Sequence, residues 1–330
     1  MKKILGIDIG GTKFAISVAN FSDDSIEIVE KESFESIKNP SNAIKLLPEK
    51  IDNFLNRLSM KYNDFVAIGI SCGGIIDSKT ATIISTPVLP SWLNVDLRTP
   101  LSKHFNLPVY IINDANACAL AEWKYGVGKG VDNMAFLTCG TGIGAGLILN
   151  GSLYEGFGGT AGEFGHMRAE PFGPVGCGKG GSFEGFCSGT GIASLAKLRA
   201  LELLQAGKKC AFCASLNEID SITAKSVADS ANEGDSVAIE VYETAGDYLG
   251  RGIAILIDLL NLEVVSIGSI FVRTENLLRP AMERAIAREA MAYPRSQCKV
   301  LPAGLGEKVG DYASACVAID GLAKDKLLKF

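Results

Sequence analysis

A short turn near the start of the chain combines residue types that bind phosphate. It begins at the carboxylate of Asp8 and contains Gly10, Gly11, Thr12 and Lys13. Successive glycine N–H groups can point at an anion, while the threonine hydroxyl adds a donor and the lysine adds positive charge. A carboxylate at the end of a strand can hold Mg²⁺ through water. An ordinary glycine hairpin is the alternative, but the coincidence of these residue types favours a phosphate loop.

A second glycine-rich turn repeats this pattern 130 residues later. Thr138 stands where the first turn has its carboxylate, and Gly140, Thr141 and Gly142 follow. The run also matches the dinucleotide fingerprint G-x-G-x-x-A, but that motif requires a helix next. Here the apolar run 143–149 predicts a strand. We therefore reject dinucleotide binding and predict a second phosphate loop.

Polar residues that could act on a substrate lie elsewhere in the chain. Asn113 and Asp114 follow an apolar run, and a carboxylate at the carboxyl end of a strand is well placed as a general base. Aspartate is also preferred at a helix N-terminus, and the sequence does not separate the two roles. Glu163, His166 and Glu184 lie in or near the glycine-rich segment and could grip sugar hydroxyls. For His166, a structural hydrogen bond is the alternative.

Two other motifs carry less weight. The segment 173–180 nearly spells a P-loop, but it lacks the terminal hydroxyl residue and no buried strand precedes it. We expect no phosphate site there. Cys210 and Cys213 form a C-x-x-C pair that could be redox-active or half of a zinc site. A single pair without a second one favours ordinary reduced thiols.

The elements that position these residues alternate between strands and helices, which is typical of α/β layers. Apolar runs predict strands at 4–7, 14–19, 26–29, 65–70, 109–112, 135–138, 143–149 and 264–267. Apolar spacing of three and four residues predicts helices at 43–58, 115–123, 192–206, 224–231, 237–260, 277–291 and 312–319. The two similar strand–turn–strand units indicate an internal duplication.

Composition excludes several classes of function. The chain has 330 residues, of which 47% are hydrophobic and 21% charged, so it is not a disordered protein. A net charge of −5 gives no basic surface for a nucleic acid or an anionic membrane. The most apolar stretch, 252–268, is interrupted by polar residues and predicts no membrane span. Nine cysteines and no signal peptide indicate the reducing cytoplasm.

Together the motifs resemble those of the ROK family of repressors, open reading frames and sugar kinases. The matching segments occur in the family's order and spacing, at 8–13, 113–116, 138–144 and 162–166. The resemblance implies an α/β, actin-like ATPase (ribonuclease-H-like) fold, with two α/β domains around a cleft. It implies a small domain over residues 1–116, completed by a C-terminal helix at 316–330, and a large domain over residues 117–315. The segment 196–224 is least familiar, and no role is assigned to it.

The resemblance also implies ATP-dependent phosphorylation of a hexose at its primary (6-) hydroxyl, with Mg²⁺ accompanying ATP. By residue, Asp114 matches the family's catalytic base. The sugar-binding positions are matched by Gly74, Asn113, Glu163, His166 and Glu184. The nucleotide-binding positions are matched by Asp8, Gly10, Gly11, Thr12, Lys13, Thr138, Gly140, Thr141, Gly142 and Gly268.

Several alternatives stay open within this resemblance. Glucose is the first expectation for the sugar, and N-acetylmannosamine, N-acetylglucosamine and other hexoses remain. Repressor members carry an N-terminal DNA-binding extension, whereas Met1 lies a few residues before the first turn, which favours the kinase interpretation. A non-catalytic sugar-sensing protein and an actin-like ATPase are the alternatives from other classes. The family expectation is a cytoplasmic homodimer with no nucleic-acid or membrane partner.

One departure from the family concerns structural zinc. Many members bind it through a histidine and a C-x-C-G-x-x-G-C run. Here Val175 and Ser182 replace two of those cysteines, which leaves His166 and Cys177. Structural zinc normally needs four ligands. We therefore predict no zinc at this position, and the change leaves the pose of the His166 side chain open.

Overall fold

The structure, a computed structural model, describes residues 1–328; residues 329 and 330 lie outside the described part. The described residues contain fifteen strands: β1 Lys2–Ile9, β2 Lys13–Phe21, β3 Ile26–Glu35, β4 Phe65–Cys72, β5 Ile75–Asp77, β6 Thr82–Ser85, β7 Leu93–Asp96, β8 Val109–Asn113, β9 Met134–Cys139, β10 Ile143–Leu149, β11 Ser152–Leu153, β12 Val175–Gly176, β13 Lys179–Gly180, β14 Val264–Ile267 and β15 Lys299–Pro302. They form two five-stranded sheets, a three-stranded sheet and a two-stranded hairpin.

The same part of the chain contains ten α-helices: α1 Pro40–Arg57, α2 Arg98–Phe105, α3 Asp114–Tyr125, α4 Phe183–Cys187, α5 Gly189–Gln205, α6 Ala224–Asn232, α7 Ser236–Leu260, α8 Ile270–Glu289, α9 Ala292–Gln297 and α10 Val309–Lys324. Each helix and strand predicted from apolar periodicity is present, with its ends shifted by up to several residues. Within residues 1–328, no helix is long and apolar enough to cross a bilayer.

The predicted C-terminal helix at 316–330 is wrong in its bounds. The helix begins earlier, at Val309, and ends at Lys324. It ends there because Lys326 takes a left-handed backbone conformation with φ of 55°, which is typical of the residue that stops a helix. The last two predicted positions, 329 and 330, lie outside the described residues.

The two large sheets have the same strand order. The first sheet runs β3-β2-β1-β4-β8 and the second runs β11-β10-β9-β14-β15. In each sheet the first three strands pair antiparallel, and the last two are added in parallel. The predicted internal duplication is therefore confirmed at the level of topology, because two sheets built independently would rarely share both order and direction.

Two helices, α3 and α10, pack against each other and against the large sheets. Close approach depends on small residues. A Cβ placed on Gly69 of β4 would lie 1.9 Å from the carbonyl oxygen of Ser314 in α10, and one placed on Gly146 of β10 would lie 2.5 Å from that of Ala115 in α3. Buried apolar residues surround this helix pair and continue into a core on each side. The predicted domain boundaries at residues 116 and 315 stay a prediction.

The three-stranded sheet β5-β6-β7 was not predicted, because strands of three or four residues show too little periodicity. Its inner face joins the core of the first large sheet through Ile76, Ile83 and Val95. Trp92, fully buried, precedes β7 and donates from its indole nitrogen to the carbonyl of Lys38 at 3.0 Å. The small sheet is thereby fixed beside the first phosphate turn.

Candidate active site

Asp114 lies where β8 passes into α3. The preceding residue, Asn113, caps the helix, because its Oδ1 accepts the N–H groups of Ala115 (2.8 Å) and Asn116 (3.4 Å). The Asp114 carboxylate is open to solvent and faces Gly73, where an added Cβ would lie 3.2 Å from Oδ2. Asn113 is therefore the N-cap of α3, while Asp114 Oδ1 also accepts the N–H of Ala115 at 2.9 Å. The role of Asp114 as a general base stays a prediction.

Asp8, one residue before the end of β1, lies near Asp114. Burial and the negative charge of Asp114 raise the pKa of Asp8 to about 6, although Lys31 and Lys13 act in the opposite direction. Although the Asp114 side chain reaches the surface, the protein around it displaces water and raises its pKa, and the hydrogen bond from the Ala115 N–H acts in the opposite direction. Two carboxylates that each disfavour the other's charge form a site that a cation would stabilise.

The first phosphate turn has its carbonyl groups bound from behind. The Ser36 hydroxyl donates to the Gly10 carbonyl at 2.7 Å, and the Ser36 N–H donates to that of Thr12 at 3.1 Å. The Lys38 ammonium donates to the carbonyl of Gly11. Within residues 1–328 the N–H groups of Gly11 and Thr12 have no hydrogen-bond partner. N–H groups without a protein partner are free to bind an anion, and phosphate binding by this turn stays a prediction.

The second phosphate turn is held by the beginning of α5. The Gly189 N–H donates to the carbonyl of Gly140 at 2.8 Å, while the N–H and hydroxyl of Thr190 donate to that of Thr141 at 3.3 and 2.9 Å. The N–H groups of Thr141 and Gly142 have no partner in the described part of the chain. This turn therefore also presents N–H donors, but without a charged side chain of its own.

The second turn and Asp114 are brought together by α3. Thr138 closes the turn, since its hydroxyl oxygen accepts the N–H of Gly144 at 2.9 Å. A Cβ on Gly144 would lie 3.6 Å from the Cβ of Ala115, the residue after Asp114. The helix that begins at Asp114 thus starts against the second turn, and residues of both sheets meet in one cleft.

Gly74 and Asn113 form the wall of the cleft on the side of the first sheet. The side-chain amide of Asn113 donates to the carbonyl of Gly74 at 3.0 Å. Gly74 has φ of +116° and approaches the carbonyl of Ser85 so closely that an added Cβ would lie 2.4 Å away. Thr86 follows, and its buried hydroxyl has no partner within residues 1–328. Sequence reasoning missed Thr86, because the short strand before it gave no signal.

Glu163, His166 and Glu184 approach from the second sheet. Glu163 precedes a short 3-10 turn, Phe164–His166, and its side chain and that of His166 are exposed. Glu184 lies on α4, and its Oε2 accepts the N–H of Ile143 at 3.1 Å. The structure therefore places Glu184 directly behind the second phosphate turn. The described contact of His166 involves its carbonyl group, so the role of its side chain stays a prediction.

The residues at the family's zinc position do not fit zinc. Val175 offers only methyl groups, and the hydroxyl of Ser182 already accepts the N–H of Gly185 at 3.1 Å. Only His166 and Cys177 remain of the family's ligand positions, and structural zinc normally needs four. Within residues 1–328, no group of three or more His, Cys, Asp or Glu side chains could hold a metal ion.

Gly268, one of the predicted nucleotide-binding residues, directly follows β14. Close to it, a residue that sequence reasoning missed organises the loop after β15. Glu122 of α3 is fully buried, and its carboxylate accepts the N–H groups of Gly304 (3.0 Å) and Leu305 (2.8 Å). Its only sequence signal is a carboxylate in an otherwise apolar helix segment.

The segment 207–223, which contains Cys210 and Cys213, forms a small cap on the second core. The two residues are joined by mutual backbone hydrogen bonds, and both thiols are buried and free.

The segment 173–180 contains the hairpin β12–β13 and has no strand–loop–helix arrangement, so the expectation that it is not a P-loop is confirmed.

Comparison with known proteins agrees with this geometry. The sequence profile of the ROK family matches residues 4–320. The glucokinase of Halalkalibacterium halodurans is 33% identical over 296 residues, which cover 88% of this chain and 86% of that protein. A ROK family glucokinase from Streptomyces griseus, solved in complex with glucose and AMPPNP, is 28% identical with a TM-score of 0.76, covering 97% of this chain and 100% of that one.

Regulators are similar too. The structure of a ROK family transcriptional regulator, described as a homologue of the E. coli MLC protein, has a TM-score of 0.85 at 25% identity, covering 98% of this chain and 79% of that one. Kinases and regulators thus share the predicted actin-like ATPase fold, with its two α/β domains around a cleft. From the profile match over nearly the whole chain and from these relatives, this chain belongs to the ROK family.

Proposed function

We propose that this protein is an ATP-dependent hexose kinase that phosphorylates the primary (6-) hydroxyl of an aldohexose, with glucose as the first candidate. The observation that carries the proposal is the position of Asp114. Asn113 is the N-cap of α3, and the Asp114 carboxylate bonds to the helix only through Oδ1, which accepts the N–H of Ala115. Its Oδ2 faces Gly73 in the cleft beside both turns. A base beside two anion-binding turns suits phosphoryl transfer to a hydroxyl group.

In the proposed reaction, Asp114 accepts the proton of the sugar hydroxyl as its oxygen attacks the γ-phosphorus in line. The outward N–H groups of the two turns hold the phosphate oxygens, and Lys13 adds positive charge. Mg²⁺ bound with ATP would lie near Asp8 through water and neutralise phosphate charge. Such a cation would also favour the ionised form of Asp8, whose pKa is raised to about 6 in this structure.

The sugar is proposed to lie between the Gly74–Asn113 wall and the segment that carries Glu163, His166 and Glu184. Carboxylate, amide and imidazole groups can hydrogen-bond to several ring hydroxyls at once and so fix the ring for in-line attack.

Two alternatives have support. The sugar could be N-acetylmannosamine, N-acetylglucosamine or another hexose, because nothing in the geometry selects one. A non-catalytic sugar-sensing role is supported by the likeness to the transcriptional regulator. Against it stand the solvent-open carboxylate of Asp114 and the N–H groups of the two turns that no protein group accepts, since a sensor needs neither a base nor phosphate donors.

The test is ADP release from Mg-ATP across a panel of hexoses, N-acetylhexosamines and β-glucosides, with the Asp114→Asn variant as control. Strong release with one sugar, absent in the variant, would establish the kinase and identify its substrate. Sugar binding measured by calorimetry without ADP release from any member of the panel would favour the sensor.

A further inference from the structure

The hairpin of residues 174–182, here called the clamp hairpin, connects two parts of the predicted sugar-binding segment. One part carries Glu163 and His166, and the other carries Glu184. We propose that hydrogen bonds from the clamp hairpin, rather than a metal ion, hold this segment in its working shape. Lys179 and Ser182 are then positioning residues for the sugar site. The inference rests on the proposed function, because the expected effect on sugar affinity requires that this segment binds the sugar. It also assigns a role to the P-loop-like motif that binds no phosphate.

Lys179 holds the part of the segment that carries Glu163 and His166. Its Nζ donates to the carbonyl oxygen of His166 at 2.7 Å, and the lysine side chain is half-buried. The carbonyl of His166 ends the 3-10 turn that follows Glu163, so this bond fixes the end of the turn. A hydrogen bond from an ammonium group is stronger than one between neutral groups.

Ser182 holds the part of the segment that carries Glu184. It is the N-cap of α4 and is fully buried. Its hydroxyl accepts the N–H of Gly185 at 3.1 Å and donates to the carbonyl of Gly176 at 3.4 Å. A Cβ on Gly176 would lie 2.8 Å from the Cβ of Glu184, so the hairpin backbone touches the helix directly.

Hydrogen bonds to backbone carbonyl groups of the clamp hairpin join the two parts further. The Ala169 N–H donates to the carbonyl of Gly181 at 2.8 Å, and the guanidinium of Arg168 donates to that of Gly180 at 2.8 Å. Beneath them the rings of Phe164 and Phe183 stack with centroids 5.3 Å apart. Both parts of the sugar-binding segment are thus tied to one hairpin by bonds that need no zinc.

The first experiment compares Lys179→Met with Lys179→Arg and with the control Lys225→Met, which removes an exposed lysine on α6. Calorimetry gives the Kd for the sugar that the kinase panel selects, and kinetics give the KM for ATP. We expect Lys179→Met to weaken sugar binding about tenfold, equivalent to ~1.4 kcal/mol, with the KM for ATP within about twofold of wild type. The arginine variant should recover most of the affinity, and the control should bind as wild type does.

Two further measurements keep the test decisive. Hydrogen–deuterium exchange over residues 163–170 of the sugar-free protein should be faster in Lys179→Met, and this readout holds even if no sugar binds. Chelation of wild type should leave sugar affinity and exchange unchanged. Unchanged exchange and affinity in Lys179→Met, or one zinc per chain whose removal loosens the segment, would overturn the inference. If wild type binds no sugar of the panel, but exchange over residues 163–170 is still faster in Lys179→Met than in wild type, only the proposed function is contradicted.

Discussion

The two phosphate turns occupy equivalent places in two sheets of the same order, yet they are built differently. The first has four residues between its closing pair, Ile9 and Phe14, whereas the second has three between Cys139 and Ile143. Side chains of the segment after β3 hold the first turn, and the N-terminus of α5 holds the second. Two turns of different length therefore both leave N–H groups without a protein partner, although different surroundings hold them.

The charges of the two turns differ as well. The first lies beside Asp8 and contains Lys13, while the second has the neutral Thr138 at the position of the carboxylate. We infer a division of labour after the duplication. The first half carries the charged groups next to the proposed base, and the second half binds phosphate through N–H groups alone. The predictions below test this division, from the largest expected effect to the smallest.

Replacement of the proposed base should have the largest effect. Asp114→Asn keeps the shape of the side chain but cannot accept the proton, so kcat should fall about a hundredfold or more. The affinity for sugar should stay within a few-fold, because the sugar-binding residues are untouched. Steady-state kinetics and calorimetry measure the two quantities. A variant that keeps roughly a tenth of the wild-type kcat would contradict the role of Asp114 as base.

Removal of the charge on Asp8 should stabilise the nucleotide-free protein. The folded pKa of about 6 lies above the ordinary value of 3.8, so the folded state holds this proton longer, and stability is lost as the pH rises from about 4 to 6. At pH 7, Asp8→Asn should be more stable than wild type by on the order of 2 kcal/mol, and the difference should vanish near pH 4.

Urea unfolding at several pH values without Mg²⁺ measures this difference. Asp24→Asn serves as control, since Asp24 is highly exposed and lies far from the cleft in a surface ion pair with Lys129. If Asp8→Asn and the control show the same dependence of unfolding free energy on pH, the Asp8 carboxylate is not the cause of the stability lost between about pH 4 and 6.

The glycines of the two turns should differ in their tolerance of a methyl group. A Cβ on Gly10 would lie 2.8 Å from the carbonyl oxygen of Lys13, whereas one on Gly140 would meet its nearest atom, Oγ of Ser269, at 3.6 Å. We expect Gly10→Ala to cost about 1–2 kcal/mol of unfolding free energy and Gly140→Ala to be neutral or slightly stabilising. Denaturant unfolding of the two variants measures both, and equal losses would show that the turns are equally crowded.

Loss of the hydroxyl that holds the second turn should have the smallest effect. In Thr190→Val the bond to the carbonyl of Thr141 is removed, which is expected to cost about 0.5–1 kcal/mol and to raise the KM for ATP two- to fivefold. Thr244→Val removes a similar bond, to a carbonyl within α7, and is the matched control. An unchanged KM for ATP in Thr190→Val would show that the Thr190 hydroxyl does not support the turn.

Long elements, and the short buried strand β14, were predictable from apolar runs, whereas short strands with polar residues were not. Strands such as β1 and β4 are continuous apolar runs, because helices cover both faces of the sheet. The small sheet β5-β6-β7 and the hairpin β12–β13 have strands of two to four residues, which show no period. Thr86 and Lys179 were missed as site residues for this reason, since each belongs to or follows such a short strand.

By itself the sequence determined the kinds of groups in the site and the order in which they occur. Two glycine turns, a carboxylate after a strand, and a loss of zinc ligands are all local facts, and local spacing was enough to find them. Only the tertiary structure decided that Asn113 rather than Asp114 caps α3 and that Glu184 stands behind the second turn. It also decided that a lysine holds the segment of His166. The cap is a local contact whose choice between two neighbouring polar residues depends on the backbone conformation at the end of β8. The contact of Glu184 joins residues 41 positions apart in the chain, which local spacing cannot reveal.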